Sequence, residues 1–226
     1  MTNVIISNNI ILGFSIGSGG GINNGYGDMY LNNVLIIDNG FESYNNGGYS
    51  GNKYGGGLCL GGHWQGGTEI ILSNVQISGN SAYEGGGIKI NGYVKPKIIN
   101  GLLTDNYAVN RGGAVYSNST PIEQNGFEIE LGKAILINVT VNNNIADLGI
   151  GDGIYLDGIA WQRNEMMIIN SILNNGLESI EGNVGELNIF YSDIEGGFEG
   201  EGNISGNPLF NNDFTLQEES PCIDAG

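Results

Sequence analysis

An asparagine, an alternating apolar stretch and a second asparagine six residues on recur along this chain, at residues 3–9 (NVIISNN), 33–39 (NVLIIDN), 74–80 (NVQISGN), 100–106 (NGLLTDN), 138–144 (NVTVNNN) and, more loosely, 170–176 (NSILNNG). All but the last copy are followed by a glycine-rich half, at 19–22 (GGGI), 55–58 (GGGL), 85–88 (GGGI), 112–115 (GGAV) and 151–154 (GDGI). A motif that returns every 26 to 41 residues marks a solenoid, in which a repeat buries its apolar face only by stacking on its neighbours.

Within a copy, Val75 and Ile77 point one way while Gln76 and Ser78 point the other, the period of two that belongs to a strand. A third apolar run, at 69–72, 97–99, 133–137 and 166–169, lies between one glycine half and the next asparagine half. Three short strands per repeat therefore predict an all-β parallel β-helix of about six to seven three-stranded coils stacked about 4.8 Å apart. Coils of one domain are expected over 1–180, and the last coil with a closing segment over 181–226.

Stacking places like on like. Val4, Val34, Val75 and Val139 should form one interior column, Ile6, Ile36, Ile77, Leu103, Val141 and Leu173 a second, and Ile22, Leu58, Ile88, Val115 and Ile154 a third. Asn9, Asn39, Asn80, Asn106 and Asn144 are expected at one corner, with left-handed backbone and amides bonded from coil to coil. Ala82, Ala108 and Ala146 follow as small inward residues, and the 41 glycines suit sharp corners. Insertions at 40–54, 61–68, 118–126 and 158–164 should project sideways as loops, where local function tends to sit.

With these columns laid out, the chain resembles the extracellular right-handed parallel β-helix proteins, a pectate-lyase-like architecture. The GGAV at 112–115 and the spacing of Ile77 to Asn80 are similar to the repeats of bacterial polymorphic outer-membrane proteins. Asn207-Pro-Leu-Phe210, Asp213-Phe-Thr-Leu216 and the run from Ser220 to Gly226 look like the closing segment of secreted bacterial β-helix proteins that often carry a surface anchor. The resemblance implies an exported bacterial setting, at the cell surface or beyond it. Lyases, hydrolases, adhesins and passenger domains all use this scaffold, so it implies no single activity. No signal peptide is legible after Met1 and an internal-type coil begins at once, so the parent chain is expected to extend upstream and to hold further domains.

Composition narrows the partners. The formal charge is −17, with seven Lys plus Arg against 24 acids, and such a surface repels a phosphate backbone, so nucleic acid is excluded as a natural partner. No stretch reaches the roughly 20 apolar residues of a membrane span. Cys59 and Cys222 lie several coils apart, beyond disulfide reach, and read as structural residues.

Two kinds of site are compatible with these residues. A lyase acting on an acidic polysaccharide needs a basic side chain and cations, and Lys89, Arg111 and Asp157 are the residues that would serve as its catalytic set. Glu84, one coil from Arg111 in the same outward column, offers that arginine a plain ion pair instead. Paired carboxylates for a hydrolase would come from Asp147, Asp152 and Asp157, and residues 149–157 loosely resemble a calcium-binding nonapeptide, but only once. No cofactor or metal is expected, with Ca²⁺ the single cation left open. His63 lacks a triad partner. The other kind of site is a carbohydrate-binding face built from Trp64, Tyr93, Tyr116 and Trp161, whose rings suit sugar stacking. The leading expectation is a noncatalytic extracellular or surface module, structural or adhesive, that binds a polysaccharide or surface glycan. The alternative is a polysaccharide-active enzyme, a lyase before a hydrolase.

Overall fold

The computed structural model describes residues 1–12, 17–41, 53–62, 68–92, 94–118, 133–148, 151–158, 164–175, 180–182 and 186–224. The described chain is all-β. Its named strands pair in parallel in three sheets, and the repeating parallel structure is consistent with a β-helix.

The long sheet runs through Thr2–Ser7, Met29–Ile37, Glu69–Ser78, Lys95–Thr104, Lys133–Asn142, Glu165–Ile169 and Glu186–Phe190, with Ile172–Asn174 and Asp193–Ile194 continuing its last strands. A second sheet is built from short strands such as Gly40–Phe41, Ser81–Glu84 and Tyr107–Arg111. A third stacks Ile22–Asn24, Leu58–Leu60, Ile88–Asn91, Val115–Asn118, Ile154–Asp157 and Ile180–Gly182. The register bears out the three interior columns: Val4 pairs with Val34 and Val34 with Val75, Ile77 with Leu103 and Leu103 with Val141, Ile88 with Val115 and Val115 with Ile154. Val34, Ile36, Ile77, Leu103, Ile88 and Val115 are fully buried, so the strand alternation seen in sequence is the alternation between core and outer face. Ala82, Ala108 and Ala146 stack inward as expected.

Two local expectations are corrected. Glu165–Ile169 stands apart from Ile172–Asn174 as expected, but elsewhere the apolar run before the asparagine half is not a separate strand. It continues into that half as one strand of nine or ten residues, as in Met29–Ile37 and Glu69–Ser78. The strand bends at the first asparagine of the motif, since Asn3, Asn33, Asn74, Asn100, Asn138 and Asn170 all have φ between 48° and 56°. This is the left-handed region that asparagine tolerates better than other side chains.

The corner asparagines themselves are not left-handed. The residue before each of them is: Asn8, Asp38, Gly79, Asp105 and Asn143 have φ of 55° to 66°. The turn made by that residue swings the following asparagine inward, where its amide joins a ladder. Asn9 donates to Asn39 Oδ1 at 2.8 Å, Asn39 to Asn80 at 3.1 Å, Asn80 to Asn106 at 3.0 Å, Asn106 to Asn144 at 2.9 Å, and Asn144 to Asn175 at 2.8 Å.

The glycine corner leaves no room for a side chain. A Cβ on Gly20, Gly56, Gly86 or Gly113 would lie 2.3–2.6 Å from backbone oxygens of the neighbouring coil, and the glycine before each has φ of 64° to 69°. Of the insertion 40–54, the two ends are strand, Gly40–Phe41 and Lys53–Tyr54, and the interior lies outside the described residues. Toward the C-terminus the valine column turns polar: Ser171 Oγ accepts from Val139 N–H at 3.0 Å and Ser192 Oγ from Ser171 N–H at 3.1 Å. Ile204 then pairs on Asp193, and Phe210 and Leu216 form an antiparallel bridge beyond it. Among the described residues no helix is long and apolar enough to cross a membrane.

Candidate functional site

The outward columns on either side of the glycine corner, one in the third sheet and one in the second, stack as the repeat predicts. Asn23, Cys59, Lys89, Tyr116 and Tyr155 are successive partners, and Ser18, Tyr54, Glu84 and Arg111 are successive partners beside the glycine corner. Lys89 is nevertheless buried, 3% exposed. Its ammonium donates to Glu84 Oε2 at 2.9 Å and sits 3.5 Å from the Tyr116 ring centroid and 4.5 Å from that of Tyr54. Burial pulls its pKa below the ordinary lysine value, and the Glu84 carboxylate opposes that shift.

The expected pair of Glu84 with Arg111 is not made. Glu84 is taken by Lys89 of its own coil and by Asn110, whose Nδ2 reaches Glu84 Oε1 at 3.1 Å. Arg111 instead lays its guanidinium over the Tyr155 ring, 5.0 Å from the centroid. Column stacking fixes which Cα atoms are neighbours, and a long side chain can still reach sideways across the corner within its own coil.

Asp157 accepts the Tyr116 hydroxyl. Asp152 Oδ1 accepts Ala146 N–H at 2.6 Å and Asp147 Oδ2 accepts the Tyr107 hydroxyl at 2.8 Å, so these three carboxylates hold separate backbone and side-chain donors. Among the described residues no three His, Cys, Asp or Glu side chains gather into a metal-binding group.

Tyr116 stands on an outward strand position, but it is 2% exposed and stacked on Tyr155 with centroids 5.6 Å apart. Burial first and Asp157 second push its hydroxyl pKa far up. The ring is shared between Lys89 and Tyr155 and offers no open face to a sugar. Trp64, Tyr93 and Trp161 lie outside the described residues, as does His63. Cys59 is buried, and its Sγ receives Asn91 Nδ2 at 3.3 Å. Both cysteines are free thiols.

The most regular exposed feature is elsewhere, on the long sheet. The left-handed asparagines at the strand bends form a second ladder, this one on the surface. Asn33 donates to Asn3 Oδ1 at 3.2 Å, Asn100 to Asn74 at 3.0 Å, Asn138 to Asn100 at 3.0 Å and Asn170 to Asn138 at 2.7 Å. One rung is offset, with Asn74 donating to Asn32 Oδ1 at 2.9 Å. The outward columns on either side are partly exposed and uncharged. One runs Thr2, Asn32, Ser73, Ile99, Ile137, Ile169 and the other Ile5, Leu35, Gln76, Leu102, Thr140, Ile172. In a chain of net charge −17 this strip carries no ionisable side chain.

The strip ends at a cleft of about 270 Å³ between the bend and the C-terminal segment, with Asn170, Ile172, Tyr191, Asp193, Leu216 and Cys222 in its wall. Cys222 holds that segment to the sheet by donating its thiol to Asp193 Oδ2 at 3.0 Å, and burial with the adjacent carboxylate pushes the thiol pKa up to about 12. The inner ladder is the one that the second asparagine of each motif predicts. The signal for the surface ladder was present in the first, whose spacing is just as strict, and in the lack of charge at the positions flanking it. Comparison with protein families, curated proteins and solved structures returns no match to this chain.

Proposed function

We propose that this protein is a noncatalytic extracellular or cell-surface module, a right-handed parallel β-helix of six to seven coils, that binds a neutral polysaccharide along the outer face of its long sheet. The observation that carries the reading is the exposed asparagine ladder between two uncharged, largely aliphatic columns. Its amides repeat once per coil, about 4.8 Å, so donors and acceptors recur at nearly the residue spacing of an extended β-linked glycan, while the aliphatic columns suit the apolar faces of sugar rings.

Two classes of ligand fit the strip less well. A peptide that adds to a sheet needs an open strand edge, and here the backbone groups of interior strands are paired between coils. An acidic polymer needs cations, and the strip holds none. A noncatalytic role is supported by the contacts of Lys89, Arg111 and Asp157, each held by a neighbouring side chain. The exported setting rests on the resemblance of the closing segment to those of secreted β-helix proteins.

The test is retention on a panel of insoluble neutral and acidic polysaccharides, with and without Ca²⁺, while new chain ends are assayed. Wild type should be retained by neutral polymers without cleavage. Asn74→Asp with Asn138→Asp, which keeps the backbone preference but puts charge into the ladder, should lose about tenfold in affinity, the scale of one or two hydrogen bonds. Cleavage, or retention indifferent to the double substitution, would refute the proposal.

A further inference from the structure

The ladder does not simply stop at Asn170. The next residue in its column is Tyr191, fixed there by the pairing of Ile169 with Phe190 and of Ile172 with Asp193. Tyr191 shares the left-handed backbone of the ladder asparagines, with φ of 51°, and is 39% exposed. An aromatic ring thus replaces the amide where the strip meets the C-terminal segment.

That ring is held in place from two sides. Its hydroxyl donates to Glu201 Oε1 at 2.6 Å, and Gly202 packs so closely that a Cβ there would lie 2.2 Å from the ring. Gly202 itself has φ of 70°, which suits a residue without a side chain. Leu216 and Cys222 also line the cleft beside the ring, and Cys222 is tied to Asp193. A polymer following the strip would meet the C-terminal segment here.

We infer that this cleft is a subsite for the terminal residue of a neutral glycan chain, with Tyr191 as the stacking platform and the Leu216–Cys222 wall as the stop. The inference rests on the polysaccharide-binding reading of the strip. A preorganised ring loses little conformational freedom when a sugar stacks on it, because the Glu201 and Gly202 contacts have already fixed its orientation. Along the strip a long polymer makes many weak contacts, and one end subsite adds little to the total. A short oligosaccharide has few contacts to spare and depends on the end subsite most.

The experiment compares wild type with Tyr191→Asn, which removes the ring yet keeps a residue suited to the left-handed backbone. A thermal melt of the variant serves as the folding control. Cellotetraose and chitotetraose are titrated calorimetrically, and retention on insoluble cellulose and chitin is measured alongside. The tetramers should lose at least about tenfold in affinity in Tyr191→Asn, while polymer retention changes little. Polymer retention with unchanged tetramer affinity in the variant overturns the end subsite and leaves the strip standing. Tetramer binding lost in the variant, without polymer retention by wild type, supports the cleft and removes the strip. Absence of tetramer binding to wild type overturns the inference.

Discussion

Asn80 donates its side-chain amide to Asn106 Oδ1 at 3.0 Å, and its own backbone N–H reaches the same oxygen at 3.1 Å. One amide oxygen therefore closes both the side chain and the main chain of the coil before it, and the contact is fully buried. Asn80 is bound equally on its other side, receiving Asn39 N–H and Nδ2 on its oxygen at 2.9 and 3.1 Å and donating to Ile36 O at 2.9 Å.

Asn80→Ala is expected to be costly for that reason. It strands the Asn39 N–H and the Ile36 carbonyl in a fully buried site, and an unsatisfied buried group costs about 1–3 kcal/mol. A total loss of at least about 3 kcal/mol is expected from urea unfolding. Asn74→Ala at the surface ladder removes a bond that water can replace and a left-handed preference worth about 1 kcal/mol. Equal losses at the two sites would show that the inner ladder is not sealed from solvent.

The glycine corner gives a sharper contrast. A Cβ at Gly56 would meet Gly86 O at 2.4 Å and Ser81 N and O at 2.6 Å, all backbone atoms that cannot rotate away. A Cβ at Gly25 meets nothing within 4 Å. Gly56→Ala should therefore lose at least about 3 kcal/mol or fail to fold, as overpacking does, while Gly25→Ala changes stability by less than about 0.5 kcal/mol. Melting temperatures of the two variants beside wild type decide the matter.

What the sequence made legible follows from what repeats. Apolar residues at the positions of Val34, Ile77, Leu103 and Ile88 return in most copies, so their columns and the alternation of inward and outward residues are legible directly. The left-handed residue was placed one position late because asparagine tolerates that backbone generally. Only the geometry of the corner tells that Asp105 makes the turn and Asn106 fills it. The pairing of Lys89 with Glu84 escaped for a different reason. It is a contact within one coil, and a stacking argument compares coils with each other. The C-terminal segment was hardest of all, since Tyr191, Asp193 and Cys222 meet through a stretch that occurs once, and single occurrences have no period to betray them.

Tyr116 carries a pH prediction. Its hydroxyl pKa is raised in the folded protein by burial and by Asp157, from an ordinary value of 10.0. Above that value the unfolded chain sheds the proton and the folded chain keeps it. The folded state then binds more protons, and stability falls as pH rises. Below pH 10 this contribution is fully present. Lys89, lowered from 10.5, works in the opposite direction in the alkaline range, so the two must be separated by difference. Tyr116→Phe should lower stability by a constant amount near neutrality, through loss of the Asp157 bond, and should flatten the decline above pH 10. Parallel pH profiles for variant and wild type would mean that the Tyr116 hydroxyl titrates as it does in water.

Cys222 tests how the C-terminal segment is held. Its thiol, kept protonated by a pKa of about 12, is the donor to Asp193 Oδ2, while Gly206 N–H serves Asp193 Oδ1 at 2.8 Å. Asp193 is 4% exposed, so Cys222→Ala leaves one oxygen of a buried carboxylate without its donor. A cost of about 1–3 kcal/mol is expected, and Cys222→Ser, whose hydroxyl can donate in the same place, should recover much of it. The loss should be local. Hydrogen exchange at Ile204, Leu216 and Ser220 should quicken, while amides of the columns around Ile77 and Leu103, several coils away and paired on both sides, keep their protection. Faster exchange across the whole stack would instead make the C-terminal segment part of the cooperative core.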